Sequence, residues 1–93
     1  MGITKDTAAG AAKRDLADRL GLDENKIREV AISEDEFPDM SLGAPVGGEM
    51  SAQMISSGWR IKLGVDGRDY EYRADRNQLR LHNFKGKNYV IKQ

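Results

Sequence analysis

Trp59-Arg60-Ile61-Lys62-Leu63-Gly64-Val65-Asp66-Gly67-Arg68-Asp69-Tyr70-Glu71-Tyr72-Arg73-Ala74 is the stretch that decides the fold of this chain. Trp59, Ile61, Leu63 and Val65 alternate with Arg60, Lys62 and Gly64. Beyond Asp66-Gly67, Tyr70, Tyr72 and Ala74 alternate with Asp69, Glu71 and Arg73. A period of two marks a half-buried strand, and Asp-Gly is a preferred pair for a two-residue hairpin turn. The turn sets the register: Val65 faces Arg68, Leu63 meets Tyr70, Ile61 meets Tyr72 and Trp59 meets Ala74. Aromatic and β-branched side chains then fall opposite one another on one face, so turn chemistry and burial pattern agree. A second turn around Arg76-Asn77 adds a third strand, pairing Ala74 with Leu79 and Tyr72 with Leu81.

An apolar sheet face needs a cover, and the N-terminal part of the chain supplies one. Thr4 or Asp6 can cap a helix over about residues 6–20, in which Ala8, Ala12, Leu16 and Leu20 recur every four residues. Ala9 and Ala17 flank that stripe, so the helix can sit close to the sheet. Gly21 suits a left-handed end with Leu22 folded back on the last turn, and Asp23 then caps a short turn through Lys26. Ile27 to Glu34 reads as a strand with Val30 and Ile32 on one face. Ser51 to Ile55 can begin a further strand, interrupted at Ser56-Ser57-Gly58 by a bulge or bend. The tail, residues 84–93, is apolar enough for a short edge strand and equally able to fray. The expected fold is α+β: one N-terminal helix packed on an antiparallel sheet of about four strands (residues 27–83), in a single domain over 1–93.

Between the helical and the hairpin parts lies Phe37-Pro38-Asp39-Met40-Ser41-Leu42-Gly43-Ala44-Pro45-Val46-Gly47-Gly48. Its Gly and Pro content rules out a helix or an inner strand. It is long beside the about 4–6 residues typical of connections in a small domain. Phe37, Met40, Leu42 and Val46 argue against a free linker. We expect residues 37–48 to be ordered, with Phe37 and Leu42 at least partly buried. The glycines match neither the P-loop nor the dinucleotide fingerprint, because the Gly-Lys-Ser/Thr ending and the strand–turn–helix context are missing.

Composition narrows the function classes. The chain has 39% hydrophobic and 32% charged residues and a formal net charge of zero, which fits a globular domain and gives no bulk attraction to nucleic acid or membrane. The balance is uneven along the chain: residues 1–40 carry ten acids and six bases, residues 41–93 five acids and nine bases. With no cysteine, thiol catalysis, disulfides and cysteine metal sites are excluded. No run approaches the roughly 20 apolar residues of a membrane helix. No apolar stretch follows Met1-Gly2 as a signal peptide would require, and Asp6 spoils a myristoylation start. The abrupt, already amphipathic beginning suggests that a secretion signal or a neighbouring domain has been left out.

Three groups of residues bear on chemistry. His82 is the single histidine, and the register puts it on the outer sheet face opposite Glu71; a solvent-facing cross-strand pair is the expectation, not a catalytic base. The carboxylates Glu34, Asp35, Glu36 and Asp39 lack EF-hand spacing, so neither metal nor another cofactor is expected. The third group is sharper. Arg60 falls opposite Arg73 and Arg73 opposite Arg80, a row that repels itself unless something negative relieves it. Asp69, Glu71, Asp75 or the acidic segment 34–39 can do so. Otherwise Arg60, Arg73 and Arg80 form an anion-binding patch, with nucleic acid a poor candidate because no aromatic residue shares that face.

Phe37-Pro38-Asp39-Met40-Ser41-Leu42-Gly43-Ala44-Pro45, Gln53-Met54-Ile55-Ser56-Ser57-Gly58-Trp59-Arg60-Ile61-Lys62-Leu63 and Tyr70-Glu71-Tyr72-Arg73 carry a resemblance. They resemble a family of small, mostly uncharacterised bacterial exported proteins with the signature W-P-D-x-S-L-G-C-P, then Q-V-x-T-x-G-Y-R-I-x-L and Y-E-Y-H. The match covers roughly residues 6–82. Phe37 stands where Trp is usual, Trp59 where Tyr is usual, and Ala44 where the family tends to have Cys. The resemblance implies that this Cys pairs with another near the end of the last strand; here both partners are absent, so packing and hydrogen bonds must hold the loop. The helix–strand–hairpin order is also similar to PepSY-type domains, which are associated with regulatory or inhibitory binding. These resemblances imply a non-catalytic binding or regulatory module of a bacterial envelope or secreted protein. The expected partner is a protein or peptide, the expected state a monomer, and the expected binding residues are Phe37, Asp39, Leu42 and Trp59.

Overall fold

The computed structural model describes residues 2–50 and 52–92. Helix α1 (Lys5–Leu20) leads through a 3-10 turn (Glu24–Lys26) into strands β1 (Arg28–Phe37), β2 (Ser56–Val65), β3 (Arg68–Ala74), β4 (Leu79–Phe84) and β5 (Lys87–Lys92). The strands form one antiparallel sheet in the order β1-β2-β3-β4-β5, with α1 on one face. The class is the expected α+β. The strand count is five instead of about four, because the tail does not fray. Lys85 and Gly86, both at positive φ (52° and 85°), form a second two-residue turn that returns Lys87 to Phe84. Its geometry repeats that of Asp66-Gly67 (φ 50° and 78°), the kind of turn whose twist suits a hairpin.

Thr4 is the helix cap. Its hydroxyl accepts the Thr7 N–H (3.2 Å), and the Thr7 hydroxyl accepts the Thr4 N–H (2.8 Å), so two otherwise orphaned donors are satisfied. Gly21 ends the helix at φ 68°, and Leu22 N–H reaches back to the Ala17 carbonyl. Asp23 precedes the 3-10 turn as expected, but its side chain makes no capping bond. Ala8, Ala12 and Leu16 are buried against Ile61, Leu63, Tyr72, Leu79 and Leu81. The small alanines let the helix approach closely, and burying Leu16 alone is worth about 2 kcal/mol. Tyr72 puts its hydroxyl under the helix, donating to Asp15 Oδ2 (2.7 Å), which also accepts from Arg19 Nε (2.7 Å). Arg19 in turn lies 4.3 Å from the Tyr89 ring centroid, tying β5 to the helix end. Burial and the Asp15 carboxylate push the Tyr72 hydroxyl pKa well above its ordinary value.

The hairpin register is the one the turn dictates: Val65–Arg68, Leu63–Tyr70, Ile61–Tyr72 and Trp59–Ala74, followed by Tyr72–Leu81 and Ala74–Leu79. Three expectations fail elsewhere. Val30 does not share a face with Ile32. A bulge between Glu29 and Ala31 shifts the register against β2, leaving Val30 over Gly64 and 45% exposed while Ile32 packs on the core. The segment expected to open a strand at Ser51 is no strand either: Ser51 lies outside the described residues, and 52–55 are irregular. Ser56, Ser57 and Gly58 do not interrupt a strand but begin β2, opposite Phe37, Glu36 and Asp35.

Candidate functional site

The second sheet face is covered by the long loop. Its first anchor is Phe37, which ends β1 pointing away from the helix and lies 5.8 Å from the Arg60 guanidinium and 5.6 Å from that of Arg73. The loop then crosses the strands one after another. Leu42 and Gly43 give their carbonyls to Arg73 Nη1 (both 3.0 Å) on β3. Ala44 gives its carbonyl to Arg80 Nη1 (3.1 Å) on β4. Pro45 accepts from Asn88 Nδ2 (2.8 Å) on β5. Phe37, Ser41, Leu42 and Ala44 are buried and form a thin second core, so the expected burial of Phe37 and Leu42 is met.

Asp39 shapes the loop from within. Its Oδ1 accepts from the Ser41 N–H (2.9 Å), the Ser41 hydroxyl (2.5 Å) and the Gly43 N–H (3.2 Å). Those bonds hold its carboxyl below the usual range. They also stabilise two successive left-handed residues, Leu42 (φ 60°) and Gly43 (φ 66°). Leu42 accepts that uncommon conformation because its side chain is fully buried. Gly43 has no such latitude, because a Cβ there would sit 2.8 Å from Arg73 Nη1.

The arginine row exists as the register requires, and the fold itself relieves it. Arg60 is paired with Asp35 (2.8 Å) and lies 3.5 Å from Glu71. Arg73 Nε donates to Glu71 Oε2 at 2.7 Å. Arg80, with a side chain only 3% exposed, makes a two-pronged pair with Glu49 (2.6 Å on each oxygen) and bonds Gln78. The Arg80 guanidinium pulls the Glu49 carboxyl below the usual range. Of the relieving acids expected, Glu71 and Asp35 serve; Asp69 has no arginine partner, and Asp75 instead accepts from Ser56 Oγ (2.8 Å) and the Asn77 and Gln78 amides. Glu49 and the loop carbonyls were missed. The signal was weak: a lone acid after two glycines does not announce that it reaches β4. His82 does stand opposite Glu71, yet the solvent-facing pair does not form. Glu71 turns to the arginines, while burial and the charge of Arg73 lower the His82 pKa against the opposing effect of Glu71.

The expected binding residues therefore separate. Phe37 and Leu42 lie inside the second core, Asp39 is engaged within the loop, and Trp59 stands apart from all three. Trp59 is half-buried at the open end of the β1–β2 ladder, directly across from Glu34. A depression of about 580 Å³ lies there, lined by Glu34, Asp35, Glu36, Ser57, Gly58 and Trp59. A second, of about 440 Å³, lies between Trp59, Ser57, Arg76 and the start of the helix at Gly2–Thr4. Gly58 is obligatory at this spot, because any Cβ would overlap the Ala74 carbonyl oxygen. Among the described residues, no three His, Asp or Glu side chains cluster as a metal site. No helix among the described residues is long and apolar enough to cross a membrane.

One helix and one crossing loop on opposite faces of a five-stranded antiparallel sheet, with a groove at its β1–β2 end, define the class of domain. The chain belongs to the family described as a domain of unknown function, DUF8738, whose model matches residues 9–82. That span takes in most of the helix, the whole loop and all three arginines. No curated protein and no solved structure matches the chain.

Proposed function

We propose that this chain is a non-catalytic binding module of a bacterial envelope or secreted protein, and that its working surface is the groove at Trp59. The observation that carries the reading is Trp59 itself. A large amphipathic side chain, incompletely covered, stands between two open depressions of a size suited to a ligand segment. The envelope assignment draws on the resemblance of residues 37–45, 53–63 and 70–73 to exported proteins. Absence of a signal peptide from the full-length precursor overturns it. The binding reading is tested by titrating 15N-labelled protein with a diverse pool of short peptides. The expected outcome is shifts of the Trp59 indole N–H and of amides 34–36 and 57–59, lost in Trp59→Ala. A pool that leaves all of these unmoved at millimolar concentration overturns the reading.

The runner-up is an anion-binding module using Arg60, Arg73 and Arg80. It is the weaker reading, because Arg73 and Arg80 already hold the loop and only Arg60 keeps substantial exposure, at 37%. Shifts at Arg73 and Arg80 with a polyanion would favour it, and their absence would remove it.

A further inference from the structure

We infer that the partner is an extended basic peptide that adds to the sheet as an antiparallel strand along the outer edge of β1; the inference rests on the groove at Trp59 being the working surface. β1 is an end strand of the sheet. Which of its backbone groups are free follows from the hairpin. The two-residue turn makes Val65–Arg68 a hydrogen-bonded pair, so Val65, Leu63, Ile61 and Trp59 turn their N–H and C=O toward β3. Lys62, Arg60, Gly58 and Ser56 turn theirs toward β1, where they meet Ala31, Ser33, Asp35 and Phe37. Ile32, Glu34 and Glu36 therefore point their backbone groups outward. The Glu36 N–H agrees, since it is free to bond the Asp35 carboxylate (2.8 Å). Ile32 and Glu34 remain with outward donors and acceptors that no other strand of the sheet meets.

Those groups are an attachment row for an added strand, and the side chains on the same residues select what is added. Ile32, Glu34 and Glu36 share the helix side of the sheet, opposite Ile61, Trp59 and Ser57. Among the described residues Glu34 and Glu36 make no ion pair, whereas Asp35 on the other face is held by Arg60 and Glu29 by Lys13. A second copy pairing through the same edge would bring acids near acids, and a neutral strand would leave both carboxylates beside uncompensated apolar surface. An antiparallel strand reading basic–x–basic–x–apolar places its cations opposite Glu36 and Glu34 and its apolar residue opposite Ile32. Glu34 stands between that cation and Trp59 on the same face, so its carboxylate meets the cation on one side and the indole on the other.

The probe is a nine-residue peptide with a central Lys-Thr-Lys-Thr-Val, titrated by NMR against the full chain. Its comparison peptide is N-methylated at the lysine that faces Glu34. N-methylation keeps the charge and removes one ladder bond. We expect binding that weakens with salt, shifts at residues 32–36 and Trp59, and an affinity about tenfold lower for the methylated peptide. Glu34→Lys with Glu36→Lys should weaken binding by about tenfold as well. Glu34→Pro, which removes only an outward donor, should abolish it while the melting transition confirms folding. Equal binding of the methylated peptide overturns strand addition, yet leaves the Trp59 groove standing as a charge-and-contact site. No shift with this peptide, when others from the pool move Trp59, overturns the basic-strand partner alone. Shifts that grow with protein concentration without peptide, and that map to both β1 and Lys87–Lys92, assign the edge to a second copy instead.

Discussion

The two faces of the sheet are covered by opposite means. On the helix face, Ala8, Ala12 and Leu16 meet Ile61, Leu63, Tyr72 and Leu81, and attachment comes from area removed from water. On the loop face, three arginines rise from β2, β3 and β4, and the cover is attached by carbonyls, one glutamate and a few buried side chains. A periodic apolar stripe can cover an apolar face with a regular helix. A cationic face needs a cover that brings acceptors inward, and irregular backbone does that because its carbonyls are not committed to a ladder. The loop is long and glycine-containing because it must turn its backbone toward the sheet at Leu42, Gly43 and Ala44 in succession.

The comparison can be broken by attacking each face in turn. Leu63→Ala should cost about 2–5 kcal/mol and lower the melting temperature of the whole domain, with loop and helix lost in one transition. Calorimetry and helix circular dichroism check it. Arg80→Met should cost about 2–3 kcal/mol, less than a fully buried pair would, because Glu49 keeps 19% of its side chain in water. Amide exchange should then accelerate in residues 40–49 before it does in α1. Uniform acceleration would show that the loop is no separate layer. Asp39→Ala should cost about 1–2 kcal/mol through the loss of three bonds to Ser41 and Gly43, with the same local signature.

Acidity sharpens the contrast. Asp39 and Glu49 have carboxyl pKa values held below their unfolded values, so the unfolded state binds more protons as pH falls. Their stabilisation is present above the unfolded values near 4 and is lost as pH drops through the folded ones. Below pH 4, exchange in residues 38–49 should rise ahead of exchange in α1, whose contacts are apolar. The smallest effect belongs to His82. Its pKa is lowered in the fold, so stability is whole above about 6.5 and declines slightly as pH falls below it. An NMR titration of the His82 ring that gives an ordinary or raised value removes that contribution.

Much of this fold can be read from local rules. Asp66-Gly67, the turn at Arg76-Asn77 and the alternation around them set the register of the three central strands, and with it the arginine row. Thr4, the alanine stripe and Gly21 bound the helix. The fifth strand was within reach, since Lys85-Gly86 is a two-residue turn, but lysine is a rare occupant of a positive-φ position and gave little warning. The bulge at Val30 was not legible, because a strand's alternation does not show where its partner will skip a residue. Neither was the pairing of Arg80 with Glu49, 31 positions apart, which only a folded loop brings together.

What the residues determined by themselves is everything set by short-range geometry: the hairpin register, the helix ends, the apolar face and the presence of three aligned cations. Only the tertiary structure decided which residues a partner can reach. The same register that lines up Arg60, Arg73 and Arg80 leaves Arg73 and Arg80 under Leu42, Ala44 and Glu49, holds Arg60 against Asp35, and takes Phe37 and Leu42 out of reach. Trp59 stays accessible for an equally physical reason. The helix begins only at Lys5, so its cover stops short of the β1–β2 end of the sheet.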